Sequence, residues 1–384
     1  YHGTKQLAEE QLFELYRNKT TPLNLYDNFV RVDTLFSLPE SCLFSQIVDN
    51  YPENSFYSTY KELYEKIRVA TDSIHRDDSL KSIIKANISK YIEKDLDLPL
   101  TLNNFKTAGK KLFILTNSYF DYTNAVMSYL LDGALSEYEN WTSYFDLIIV
   151  GSRKPDFFVD GNELLKLNLK GDIITDPEFK TNIYQGGHIE DLERITELKG
   201  ENVLYIGDHI YGDILKVKKT SMWRTCLIVE DLEKEMKINE KNRDLTESLA
   251  NYDYKINILE SELNYQEMIA KSLKKTIESS QRIISSLERK VFTDLIEKSQ
   301  QKTKKINNVL NEVLREYDIL RKTVEKQYNK YWGMIFKENR EKTKFAAQLE
   351  DFACLYTSRV TNFLFYSPSQ YFRSPMDVMA HELF

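Results

Sequence analysis

ENVLYIGDHIYGDILKVKKTSMWRTCLIV, residues Glu201 to Val229, holds the pattern that decides the fold. A short apolar run, Val203 to Ile206, ends in Gly207-Asp208, and a second carboxylate, Asp213, opens a helical-looking segment. Trp223 to Val229 alternates again and reads as the next strand. The unit is strand, acidic turn, helix, strand. In open α/β sheets ligands bind beyond the carboxyl ends of the strands, which is where Asp208 falls. Gly-Asp at a strand end is also ordinary turn chemistry, so the pair acquires meaning only from what surrounds it.

Upstream, two further strand ends carry polar groups. Lys110 to Thr116 is a compact apolar run that stops at Thr116-Asn117-Ser118, with a helix expected from about Asp121. Side-chain donors together with the free N–H groups of a helix start make a phosphate cradle; a plain N-cap is the competing reading. Asp146 to Gly151 reads as a buried strand followed by Lys154-Pro155. A hydroxyl donor, a cation and two carboxylates, each just past a strand expected to be parallel, can converge on one rim of one sheet. That set suits phosphoryl transfer, with the carboxylates fixing a magnesium ion through oxygen ligands.

The remaining chain is mostly helical in pattern. Helices are expected around Gln6 to Tyr16, Phe29 to Phe36 and Glu40 to Asn50. From Ser58 to Lys94 there is neither Gly nor Pro, and Leu63, Ile67, Ala70 and Ile74 keep helical spacing. The same spacing puts Arg68, Asp72 and His75 on one side, with Lys81 six residues on; a solvated ion pair between Arg68 and Asp72 is the plainer reading. No proline occurs between Pro177 and Pro368 and no glycine between Gly212 and Gly333, which indicates long helices over roughly residues 232–331. Ile306, Leu310, Val313, Tyr317, Leu320 and Val324 form a heptad seam within them.

Composition limits the partners. With 384 residues, more than one structural unit is expected. A net charge of −7, from 52 basic and 59 acidic residues, provides no global attraction to nucleic acid or acidic membrane. Cys42, Cys226 and Cys354 are far apart and odd in number, which argues against a disulfide framework or a structural zinc site. No run reaches the roughly 18 apolar residues of a membrane span, and a cytoplasmic location is expected.

LTNS at Leu115 to Ser118, RKP at Arg153 to Pro155 and IGDHIYGDI at Ile206 to Ile214 resemble the second, third and fourth motifs of the haloacid dehalogenase superfamily. The surrounding NSYFDYTNAVMSYLL, SYFDLIIVGSRKPDFF and VLYIGDHIYGDILKVKKTSMWRTCLIV, with DTLFSLPE at Asp33 to Glu40 and RVATDSIHRDDSLK at Arg68 to Lys81, resemble the cytosolic purine 5′-nucleotidases that prefer IMP and GMP. The similarity spans most of residues 29–230 and returns near Phe352 to Glu382.

The resemblance implies an α/β fold of haloacid dehalogenase type: a Rossmann-like parallel sheet with a helical cap and a long C-terminal helical hairpin. The expected divisions are a cap and substrate region over 1–105, the α/β core over 106–231, a helical extension over 232–351 and an aromatic segment over 352–384 packing on the core. It implies Mg²⁺ as cofactor, a purine nucleoside monophosphate as substrate, and a homo-oligomer. Thr116, Asn117, Ser118 and Lys154 would grip the phosphate, Asp208 would bind the metal, and Asp213 would support that metal site. Arg68, Asp72, His75 and Lys81 would bind the base and the rest of the nucleotide, with Phe36 stacking near the base.

Two departures stand out. The superfamily attacks phosphate with the first aspartate of an Asp-x-Asp-x-Thr motif, and no such motif follows a buried strand in this sequence; Asp95-Leu96-Asp97 lies in a polar turn, and Tyr119 stands where Phe120-Asp121-Tyr122-Thr123 would need the nucleophile. The nucleophile is therefore expected upstream of Tyr1, and the chain alone is expected not to turn over. Asp33 and Leu23 stand where the resemblance would have a polar amide and a basic residue of an activator site, so activation by ATP is expected to be altered or absent.

Overall fold

The computed structural model describes residues 1–16, 30, 32, 34–51, 57, 59–279, 285–338 and 340–372. Leu23 and Asp33 lie outside them, as do Phe29, Arg31 and the last part of the aromatic segment; of the helix expected over Phe29 to Phe36, the described residues form only a short 3₁₀ turn, Leu35–Ser37, which the Thr34 hydroxyl caps by accepting from the Phe36 amide. The chain divides into two compact units, 1–230 with 347–384, and 231–346.

The first unit opens with α1 (Glu9–Tyr16), α2 (Leu38–Asn50), α3 (Tyr60–Arg76), α4 (Ser79–Ala86), α5 (Ile88–Tyr91) and α6 (Leu98–Thr107). Pro39 starts α2, where a missing N–H costs nothing. The Thr59 hydroxyl caps α3 by accepting from the Glu62 amide at 3.1 Å. The expectation of a helical stretch from Ser58 to Lys94 resolves into α3, α4 and α5, with a break at Asp78, whose φ is 60°. Then follow β1 (Phe113–Leu115), α7 (Phe120–Leu131), β2 (Leu147–Val150), β3 (Leu164–Leu167), β4 (Ile173–Ile174), β5 (Ile183–Gly186), α8 (Ile189–Thr196), β6 (Leu204–Gly207), α9 (Lys216–Thr220) and β7 (Arg224–Ile228).

The second unit contains α10 (Leu232–Lys241), α11 (Arg243–Ser279), α12 (Ser286–Glu325) and a small antiparallel pair, β8 (Lys337–Glu338) and β9 (Glu341–Lys342). α13 (Lys344–Phe352) begins within its last residues and runs on into the first unit, which also holds β10 (Leu355–Thr357). A capping box between Ser285 and Glu288 starts α12. Helices α11 and α12 pack along each other around Ile256, Leu310, Val313 and Tyr317, three of them from the heptad seam. Among the described residues no helix is long and apolar enough to cross a membrane.

β2 explains the layering of the first unit. All four of its residues are buried, and alternate side chains enter different cores. Leu147 and Ile149 join Phe157, Val203, Tyr205 and Trp223, whereas Ile148 and Val150 join Phe120, Trp141 and Tyr144. A strand covered on both faces reads as an unbroken apolar run, as LIIV does. Each such side chain stabilises the unit by about 1.5–3 kcal/mol relative to exposure.

The sheet departs from the single parallel sheet expected. One sheet runs β1-β2-β5-β3-β4, with β1, β2 and β5 parallel but β3 antiparallel to both β5 and β4. A second runs β10-β7-β6 and is parallel throughout. β1 and β6 are each an outer strand of their own sheet. A cavity of about 500 Å³ lies between them, lined by Leu112 and Phe113 on one side and by Val203, Leu204 and Ile206 on the other. Among the described residues no strand fills this slot, so two strand edges face it with half their backbone groups unused.

Candidate active site

The carboxyl ends of β1, β2 and β6 carry the candidate groups, and a network of hydrogen bonds joins them. Past β1, the Thr116 hydroxyl accepts from the Ser118 amide at 3.1 Å, while the Thr116 amide donates to the Ile149 carbonyl at 3.0 Å. Asn117 is used by the protein itself. Its Oδ1 accepts from the Lys154 backbone amide and from the Ser152 hydroxyl, and its Nδ2 donates to the Lys154 carbonyl at 3.0 Å. The side chain expected to grip phosphate thus clamps the loop that carries Lys154. The Ser118 carbonyl accepts from the Gly151 amide at 2.9 Å, fixing the two strand ends to each other a second time.

Lys154 points inward. Its ammonium donates to Asp213 Oδ1 at 2.7 Å and to the Tyr205 hydroxyl at 2.7 Å, and Tyr205 in turn donates to Asp213 Oδ1 at 3.0 Å. The Lys154 and Asp213 side chains are 14% and 6% exposed. Burial, and after it the negative charge of Asp213, pushes the Tyr205 phenol far up, so it stays a proton donor. Asp213 Oδ2 accepts from the His209 amide at 3.3 Å. Both oxygens of Asp213 therefore have protein partners.

Gly207 makes this closeness possible. A Cβ there would stand 2.4 Å from Asp213 Cβ and 2.6 Å from its Cγ, well inside any permitted contact. The turn after β6 then continues through Asp208 and His209 into the wide, π-helical segment Ile210–Leu215. Nδ1 of His209 accepts from the amides of Tyr211 at 3.2 Å and Gly212 at 3.0 Å, so this nitrogen carries no proton and Nε2–H is the free donor. The imidazole lies against Phe36, with ring centroids 4.8 Å apart.

Asp208 is the carboxylate left available. Much of the residue is open to solvent, yet its carboxyl group is hemmed in by protein. That desolvation, and secondly the charge of Asp213, raise its pKa above the ordinary value, with Lys154 and His209 opposing. A bound cation would relieve both causes. Among the described residues no group of three or more His, Cys, Asp or Glu side chains could hold a metal ion. Asp208 by itself offers carboxylate oxygens, the ligand type of a hard cation whose other ligands would be water and substrate.

The other expected residues are placed as follows. Phe36 reaches the site through His209. Lys81 pairs with Asp78 at 3.4 Å and lies 5.8 Å from the Tyr122 ring centroid, on the part of α4 that packs against α7. Arg68, Asp72 and His75 are exposed on α3. Asp72 pairs with Arg76 at 3.9 Å rather than with Arg68, and His75 Nδ1 lies 2.8 Å from the Thr71 carbonyl. Arg68 stands near Tyr64, whose hydroxyl contacts Glu40. The structure brings together Thr116, Asn117, Ser118, Lys154, Asp208, Asp213 and Phe36, and leaves the α3 trio with helical or neighbouring partners. Sequence reasoning missed Tyr205 and His209. A tyrosine in the middle of the apolar run VLYIG, and a histidine directly after the acidic turn, were the available signals.

Hydroxyl, ammonium and carboxylate groups thus gather at the strand ends of a mixed α/β fold. The chain belongs to the 5′ nucleotidase family, which it matches over residues 1–384. It is 26% identical over 373 residues to a 5′-nucleotidase domain-containing protein of Dictyostelium discoideum, covering 95% of this chain and 57% of that protein. It is 27% identical over 397 aligned positions to 5′-nucleotidase domain-containing protein 2 of Homo sapiens, covering 100% of this chain and 68% of that protein. The chain thus spans between about half and two thirds of the length of these relatives.

Proposed function

We propose that this chain carries the phosphate-handling core of a Mg²⁺-dependent phosphomonoesterase of haloacid dehalogenase type, acting on purine nucleoside 5′-monophosphates, IMP and GMP first. The observation that carries the reading is the buried Lys154 ammonium held by Asp213 and Tyr205 beside the available carboxylate of Asp208. Family membership supports hydrolysis of a nucleoside monophosphate. The choice of purine rests on the resemblance of the Arg68 to Lys81 segment.

In this reading Lys154, Thr116 and Ser118 bind the phosphoryl group, with Asn117 holding the Lys154 loop and Lys154 offsetting negative charge on the phosphoryl oxygens. Asp208 would hold Mg²⁺, which when bound supplies further charge neutralisation at the phosphoryl oxygens. Asp213, with both oxygens engaged, keeps Lys154 in place and meets the metal site only through its neighbours. His209 offers a fixed Nε2–H donor beside Phe36, on the side from which the nucleoside would approach. The nucleophilic carboxylate is assigned to a further parallel strand in the slot between β1 and β6, whose carboxyl end would open between Thr116 and Asp208. Attack on phosphorus there expels the nucleoside and leaves an aspartyl-phosphate, which passes to water or, as a secondary activity, to another nucleoside.

The test is phosphate release from IMP with Mg²⁺, using a polypeptide that includes the proposed strand and its Asp208→Asn counterpart. Turnover abolished in the variant is expected. Equal turnover in both would sink the assignment of Asp208, and a phosphomonoester panel without purine preference would redirect the reading to another substrate.

A further inference from the structure

A second cavity, of about 580 Å³, opens away from Lys154 and Asp208, around the start of β10 and the end of α9. Lys218, Arg224, Glu201, Tyr371 and the thiol of Cys354 line it. Its polar groups are organised. Lys218 Nζ lies 3.4 Å from Cys354 Sγ, the Arg224 guanidinium sits 4.2 Å from the centroid of the Tyr371 ring, and the Tyr371 hydroxyl reaches Glu201 at 3.4 Å. Cys354 is partly exposed, and its backbone amide is anchored to the Thr225 carbonyl at 3.0 Å. Two cations, one carboxylate held by the Tyr371 hydroxyl, and one partly exposed sulfur line a space large enough for a tripeptide-sized ligand, with a net positive charge. Nothing in the phosphate site uses them.

We propose that this cavity is a thiol-modification site that takes a small anionic disulfide, such as oxidised glutathione, with Cys354 as the nucleophile and Lys218 and Arg224 as the carboxylate-binding cations. The Cys354 sulfur attacks one sulfur of the disulfide. A Cys354–ligand S–S bond forms, the original S–S bond breaks, and the second half departs as a thiolate that takes a proton from solvent. Cys354 is oxidised and the departing thiol is reduced, so no other oxidant is required. The chemistry of the neighbours agrees. Burial would raise the thiol, but its contact with Thr225 and the Lys218 charge outweigh that and lower it, whereas burial pushes Cys226 up to about 12. Cys42 is exposed on α2 and is not among the residues lining this cavity.

The experiment treats the full chain with oxidised glutathione and, separately, with neutral 2-hydroxyethyl disulfide, and follows adducts by intact mass and peptide mapping. One glutathionyl group on Cys354 is expected, absent in Cys354→Ser and retained in Cys42→Ser. Glutathione disulfide should react faster than the neutral disulfide, and that preference should fall to parity in Lys218→Gln/Arg224→Gln. Removing the Lys218 charge alone should slow both reagents by about threefold per unit rise in thiol pKa, because lost thiolate outweighs gained nucleophilicity. Lys218→Gln lies on an exposed position of α9, so it serves as the single variant if the double one melts early. Labelling confined to Cys42, or an anionic preference that survives both substitutions, overturns the proposal.

Discussion

Lys154 Nζ and Asp213 Oδ1 lie 2.7 Å apart, joined across 59 residues of sequence and both largely shielded from water. A buried pair of this kind is strongly destabilising when halved, because the remaining charge has no solvent to turn to, by about 3–5 kcal/mol. Lys154→Met and Asp213→Leu are each expected to lower the free energy of unfolding by that order and to move the denaturation midpoint down accordingly. The double variant should recover most of the loss, since two apolar groups leave no orphan charge, while losing phosphate-site function entirely. Chemical denaturation of the two singles and the double measures this; additive losses would show that the pair is not coupled.

Asp208 gives the site a signature in stability against pH. Its folded pKa is raised above the ordinary value of 3.8. A carboxyl of that sign favours the folded state below the unfolded pKa and loses that contribution as pH rises through the folded value. In metal-free protein at neutral pH the ionised Asp208 therefore works against folding. Asp208→Asn should melt higher than the parent at pH 7, match it near pH 3, and lose any rise in melting temperature on adding Mg²⁺. Identical melting of parent and variant at every pH would remove Asp208 from the role assigned to it.

Much of this arrangement was legible in the sequence because strand ends are marked by composition. KLFILT, DLIIVG and VLYIGD announce where three strands stop, and the polar residues after them are the site. Side-chain direction was less accessible. Asn117 reads as a phosphate donor, yet its amide finds two backbone groups of Lys154 closer at hand; no local pattern distinguishes those uses. The expectation of one parallel sheet failed for a different reason. Sequence reveals strands but not their order, so neither the antiparallel β3 nor the cavity between β1 and β6 could be read from periodicity. The heptad seam of α12 was plain, since Leu310, Val313, Tyr317 and Val324 are all buried, but its polar interruption was not.

Gly207 should tolerate nothing larger. Its missing Cβ is what lets Asp213 approach the backbone of β6. Gly207→Ala forces Asp213 to shift, and overpacking of this order costs about 1–3 kcal/mol. Because Asp213 anchors Lys154, the expected result is loss of phosphate-site activity out of proportion to the change in stability. A variant with full activity would mean that Asp213 can move without consequence.

The polar interruption in the helical pair is Ser299, whose hydroxyl donates to the Gln266 carbonyl at 2.7 Å and contacts Gln266 Oε1 at 3.0 Å, both residues being buried. Gln266→Leu removes only the side-chain oxygen, while the backbone carbonyl of residue 266 keeps needing the Ser299 hydroxyl. Ser299→Ala should therefore cost about 1–3 kcal/mol by leaving desolvated oxygens short of a donor, and the double variant should recover only the part that belongs to the side-chain oxygen. Guanidinium unfolding of the helical unit reads the difference, and a neutral Ser299→Ala would show that water replaces the hydroxyl.

The slot makes a prediction that can be read residue by residue. In a parallel ladder successive amides point alternately to the two neighbouring strands. The Thr116 amide bonds to Ile149 and the Val203 carbonyl accepts from Arg224, so alternation turns the amides of Phe113 and Leu115, and those of Leu204 and Ile206, toward the slot. With the proposed strand supplied, these four should exchange hydrogen slowly, at rates comparable with the interior of β2. In the chain as it stands they should exchange much faster than the amides of Ile114 and Tyr205, their neighbours on the same strands. Protection of all six without the added strand would mean that another segment already pairs with both edges, and the nucleophile would then have to reach Asp208 by a different route.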